Sequence, residues 1–100
     1  MQGIASFHAD KAIFSCKGIA MDKGVTDANE LFSQVKQTML RSAAQRILAV
    51  DHTKFDKVAF SQICDISDID LIVTDLKPSD AWMSYFAEKN IICLYGEETE

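Results

Sequence analysis

One hundred residues with 48% hydrophobic side chains, one proline and four glycines suffice for one packed core and are too few for two, which excludes a disordered or fibrous chain. The formal charge of -5 repels phosphate backbones, and no lysine and arginine cluster rises above it, so this chain is not itself expected to bind nucleic acid. No apolar stretch approaches the ~20 residues that cross a bilayer, and the start lacks the basic and apolar blocks of a secretory signal, so the sequence reads as cytoplasmic without membrane contact.

Met1 to Ala9 is too short to assign and is compatible with the tail of a longer helix. The mostly apolar run Lys11 to Cys16, followed by Gly18, predicts a strand buried on both faces that ends in a loop. Between Gly18 and Asp27 no period is sustained, and Asp22, Gly24 and Thr26 favour a loop. Asp27 with Glu30 resembles a capping box and predicts a helix to about Ala44. Its stripe Leu31, Val35 and Met39, flanked by Phe32 and Leu40, is expected to bury against a sheet.

Arg46 to Asp51 reads as a strand ending in a carboxylate, followed by polar His52-Thr53-Lys54. Val58 to Cys64 and Leu71 to Asp75 read as two more strands, separated by the turn-rich Asp65 to Asp68. After Pro78 and the N-cap Ser79, the spacing of Trp82, Tyr85 and Phe86 predicts a last helix, and Ile91 to Tyr95 the final strand. Strands alternating with helices imply an α/β fold with a mostly parallel sheet and flanking helices, undivided by any linker or repeat.

Ligands of an open parallel sheet bind beyond the carboxyl ends of its strands, which selects Lys17, Gly18, Asp51, Thr53, Lys54, Thr74 and Asp75. The Lys54 ammonium suits a phosphate, the Thr53 hydroxyl and the Asp51 carboxylate suit sugar hydroxyls. The plainer alternative is that Asp51 and Thr53 hold a turn and Lys54 is solvated. Asp10, just before the first strand, is a turn or cap carboxylate on pattern alone. Gly18 and Gly24 are explained by turn geometry more readily than by ligand approach, Glu30 by capping, and Trp82, Tyr85 and Phe86 by the core.

The three cysteines Cys16, Cys64 and Cys93 are odd in number and widely spaced among apolar neighbours, as buried thiols of a reducing compartment are; neither a disulfide framework nor a zinc site is expected. His8 and His52 lack neighbours at metal-ligand spacing, so no metal or other cofactor is expected. A spatial pairing of His52 with Cys16 is the remaining nucleophile arrangement.

Taken in order, His8 to Ile19, Gly24 to Asp27, Asp51 to Phe55 with Lys57 to Phe60, and Ile69 to Asp75 resemble the effector domain of DeoR-family transcriptional repressors over nearly the whole chain. The resemblance implies an incomplete Rossmann-like fold shared with ribose-5-phosphate isomerase, holding a phosphorylated sugar effector through Asp10, Lys17, Gly18, Asp51, Thr53 and Lys54. By the same resemblance, residues 1–100 are the C-terminal portion of the sensor domain. DNA would be contacted only through an N-terminal winged-helix domain that this chain lacks, in a regulator expected to be a homo-oligomer.

The isomerases have consecutive acidic residues where Asp10 is followed by Lys11, and several glycines where Gly18 stands alone. A site without the second carboxylate and the glycine cradle is equipped to hold a ligand and poorly equipped to move its proton, so no catalytic residue is expected. A small isomerase-like enzyme domain and a purely structural fragment that dimerises through open sheet edges are the alternatives.

Overall fold

The computed structural model describes residues 9–96. The expectation placed on Met1 to Ala9, and with it His8, therefore lies outside the described residues except for Ala9, which opens the first strand.

Strands β1 (Ala9–Phe14), β4 (Ala43–Ala49), β6 (Leu71–Thr74) and β7 (Ile92–Tyr95) form one sheet in that order, every neighbouring pair parallel. The order advances in one direction, so right-handed crossovers all pass over the same face. Burial agrees with this. Phe14, Leu48 and Ile72 lie in register and are buried, with half-buried Cys93 completing the row. The adjacent row, Ile13, Ile47, Leu71 and Ile92, faces the other way, and its ends Ile13 and Ile92 are 63% and 61% exposed. Val73 and Leu94, paired with each other, extend this open apolar face.

The crossover side carries the core. Helix α2 (Asp80–Glu88) lays Trp82 and Phe86 onto it, with Ile63, Ile66, Ile69 and Ile91 from the connections. Ser79 caps α2 by accepting from the Trp82 N–H at 3.3 Å, the local interaction that starts a helix after Pro78.

The segment read as a loop from Gly18 to Asp27 is instead a hairpin. Strands β2 (Gly18–Ala20) and β3 (Gly24–Asp27) pair antiparallel, and β5 (Ser61–Cys64) joins β3 to complete a second, three-stranded sheet. Gly24 takes φ +77°, which only glycine accepts without strain, and so lets β3 begin directly after the turn. The expected strand Val58 to Cys64 is shorter and belongs to this antiparallel sheet.

Helix α1 (Glu30–Arg41) also departs from expectation. Its N-cap is Asn29, whose side chain accepts from Phe32 N–H at 2.9 Å, and it ends at Ser42, directly before β4. Asp27 is buried in β3, and Glu30 accepts from Gln34 rather than closing a capping box. Leu31 and Phe32 are exposed, while Ser33 and Leu40 are buried, so the contact stripe is rotated from the one expected. The Ser33 hydroxyl lies 3.4 Å from the Ser61 carbonyl, showing that a small polar side chain is what lets the helix approach β5.

Candidate functional site

The carboxyl ends of β1, β4 and β6 lie side by side and form a ledge. Beyond β4, Val50 N–H still bonds Val73 O at 3.0 Å, and the chain then turns through a 3-10 helix, His52–Lys54. Asp51 caps that turn: its Oδ1 accepts from Thr53 N–H at 2.9 Å and from the Thr53 hydroxyl. Lys54 Nζ stands 3.4 Å from Thr53 Oγ1 and 3.6 Å from the second Asp51 oxygen. Its bonds inside the turn are long, and an ammonium has three donors, so capacity remains for an external anion.

Phe55 anchors the turn by packing edge-on to Trp82 at 5.2 Å between centroids, and Trp82 Nε1 donates to Asp56 at 3.1 Å. Trp82, which the sequence assigned to the core, therefore also holds the ledge in place. Asp51 is held below the ordinary carboxylate range by the Thr53 hydroxyl first and the Thr53 N–H second.

From β6 the ledge receives Thr74 and Asp75. Asp75 Oδ1 accepts from His52 N–H at 2.7 Å and from Leu76 N–H at 2.9 Å, while Oδ2 lies 2.8 Å from His52 Nδ1. The His52 side-chain bond, ahead of other contributions, holds the Asp75 carboxyl down at about 2. His52 is thus paired with Asp75, not with Cys16, whose buried thiol is pushed up to about 11 by desolvation.

From β1 the ledge receives Cys16, Lys17 and Gly18. Lys17 N–H donates to Thr26 O at 2.9 Å, which ties the strand end to the hairpin, and its side chain is exposed. Gly18 is explained by packing: a Cβ there would stand 2.4 Å from Lys57 O. Beside it, buried Asp27 accepts from Lys36 Nζ and from Ala28 N–H at 2.7 Å. Burial raises the Asp27 carboxyl, but the Lys36 bond and the Ala28 N–H together outweigh it, and the group stays ionised below its ordinary range.

Asp10 does not join the other expected residues. It lies in β1 between Ala9 and Lys11, which pair with Ala43 and Gln45, whereas Asp51 follows the opposite end of β4. At ~3.3 Å per residue the sheet separates Asp10 from the ledge by roughly 20 Å. A cavity of about 320 Å³ between α1 and β4, lined by Gln37, Arg41, Arg46 and Asp68 among others, lies toward that amino end and contains no ledge residue. Among the described residues no group of His, Cys, Asp and Glu is placed to hold a metal ion, and no helix is long and apolar enough to cross a membrane.

The fold is of the α/β class, with the ledge at the carboxyl ends of a parallel sheet. Residues 1–76 match the family described as the DeoR C terminal sensor domain, and the chain belongs to that family. It is 32% identical, over its whole length and 38% of the relative, to the HTH-type transcriptional repressor GlcR of Bacillus subtilis. Over 94% of the chain and 37% of the relative it is 32% identical to the deoxyribose operon repressor of Escherichia coli K12. Over 85% of the chain and 34% of the relative it is 29% identical to the L-fucose operon activator of Haemophilus influenzae. The chain thus spans well under half the length of these transcriptional regulators.

Two pairs escaped sequence reasoning: His52 with Asp75, and Asp27 with Lys36. Asp75 was reachable as a strand-end carboxylate, but its partner was visible only once β4 and β6 were adjacent.

Proposed function

We propose that this chain is the C-terminal portion of a sensor domain that binds a phosphorylated sugar at the ledge and so controls DNA binding by a longer, oligomeric regulator in the cytoplasm. The observation that carries this reading is the turn Asp51 to Lys54: an ammonium with spare donors stands beside a hydroxyl and an ionised carboxylate at the carboxyl end of a central parallel strand. Lys54 takes the phosphate, helped by exposed Lys17 on the neighbouring strand end, while Asp51 and Thr53 take sugar hydroxyls. Gly18 shapes this end of the ledge through its packing on Lys57.

Recognition without catalysis is the consistent chemistry. The far position of Asp10 leaves it unable to share a substrate with Lys54, and the family and the named relatives are regulators. In this reading DNA is contacted through another domain, which the acidic charge of this chain supports. A ligand favouring one of two arrangements shifts the regulator toward it by its difference in affinity.

A thermal-shift titration with a panel of phosphosugars tests the reading, because a ligand that binds only the folded chain raises its melting temperature. A rise with at least one phosphosugar that Lys54→Ala abolishes is expected; a rise that Lys54→Ala leaves intact would overturn the assignment.

A second reading, an assembly module, is favoured by the open face of Ile13, Val73, Ile92 and Leu94. Concentration-dependent self-association in sedimentation, lost on Ile13→Lys with Leu94→Lys, would support it.

A further inference from the structure

His52 has the geometry of a discriminating ligand contact. Both oxygens of Asp75 hold it, one through its backbone N–H at 2.7 Å and the other through Nδ1 at 2.8 Å, so the imidazole is fixed in position on the ledge beside Asp51, Thr53 and Lys54. An ionised carboxylate only accepts hydrogen bonds, so in the neutral ring the proton sits on Nδ1. Nε2 is then a bare acceptor. The side chain is 54% exposed, and no hydrogen bond to Nε2 is formed among the described residues. Next to it the turn presents both donors and acceptors, so a sugar hydroxyl arriving there can donate to Nε2 while its phosphate meets Lys54.

We propose that His52 is a specificity-determining residue of this site, with Asp75 as its positioning residue: Nε2 accepts a hydrogen bond from a ligand hydroxyl and so favours a hydroxylated phosphate ester over inorganic phosphate. This rests on the reading of the ledge as a phosphosugar site. In the neutral ring, the Nδ1 bond to Asp75 leaves Nε2 an acceptor rather than a donor. Replacing its carboxylate by an amide reverses that logic, because an amide NH₂ facing Nδ1 donates to it and moves the ring proton to Nε2.

The experiment measures affinities of the full chain for ribose 5-phosphate, glucose 6-phosphate, fructose 1-phosphate and inorganic phosphate by NMR titration, with melting temperatures recorded for each variant. His52→Asn keeps an amide near the Nδ1 position but leaves the Nε2 position empty. It is expected to weaken the best phosphosugar about five- to tenfold, the loss of one hydrogen bond, while inorganic phosphate is unchanged. His52→Gln, which returns an amide oxygen to the Nε2 position, should recover most of that loss. Asp75→Asn should lower the ratio of phosphosugar to phosphate affinity, and the ring nitrogen shifts should report the proton moving to Nε2.

Equal weakening of both ligands in His52→Asn, or weakening of neither, would overturn the proposal while leaving the phosphosugar reading in place. If the unaltered chain bound neither phosphate nor any of the three esters, the reading of the ledge would fail first and take this inference with it.

Discussion

The ammonium of Lys36 bridges the buried carboxylate of Asp27, at the end of β3, and the carbonyl of Ser15, beyond β1, at 2.8 Å for the latter contact. One helical side chain therefore clamps both sheets together next to the ledge. Removing one partner of a buried pair strands the other's charge. Asp27→Ala is expected to destabilise the chain by about 2–4 kcal/mol in denaturant unfolding, the lower end reflecting the partial exposure of Lys36. Lys36 and Ala28 use different carboxylate oxygens, and an amide keeps only one acceptor and no charge, so Asp27→Asn should cost nearly as much; a negligible cost would argue against the ion pair.

Gly18 meets the backbone of Lys57 too closely for any side chain, with the carbonyl oxygen 2.4 Å and its carbon 2.7 Å from an added Cβ. Gly18→Ala must move backbone rather than a flexible side chain. We expect a loss of about 1–3 kcal/mol, the usual range for overpacking, together with weaker phosphosugar binding because the ledge end shifts. An unchanged melting temperature would contradict the packing account.

Desolvation pushes the Cys16 thiol up to about 11 and the Cys64 thiol up to about 12. Thiolate is the reactive form, so at pH 8 both should resist iodoacetamide in the folded chain and react promptly once unfolded. Mass spectrometry of the time course checks this. Rapid labelling of folded Cys16 would mean that the end of β1 is open to solvent.

Asp75 has its folded value lowered from 3.8 to about 2, mainly by the His52 side-chain bond. A depressed carboxylate contributes stability that is complete above the unfolded value and is lost as pH falls through the folded one. The difference in melting temperature between the unaltered chain and Asp75→Asn should therefore shrink as pH falls from ~4 to ~2. A carboxyl titration midpoint near 3.8 would show that the His52 contact is not formed in solution.

Much of the fold was legible because strong local signals coincided with burial. Ser79, Trp82 and Phe86 gave α2 its start and its core face, and the apolar runs ending at Thr74 and Tyr95 gave two of the parallel strands. The hairpin was not legible, since β2 and β3 hold three and four residues, too few for a period, and are defined by each other and by β5. The α1 stripe misled because Leu31 and Phe32 are the more apolar residues, yet the close approach of β5 selects Ser33. In the site, Asp51, Thr53, Lys54 and Asp75 followed from the rule that strand ends carry ligands. Asp10 had no such support, only likeness to an acidic motif, and the register of β1 sets it at the other end of the sheet.

The most direct test of the central claim is mapping the binding surface of the best phosphosugar by amide chemical-shift perturbation on the isotopically labelled chain. Shifts concentrated on Lys17 and Gly18, on Asp51 to Lys54 and on Asp75 are the predicted result, with Asp10 unmoved. Shifts centred instead on Arg41 and Arg46, around the cavity at the amino end of β4, would contradict the account.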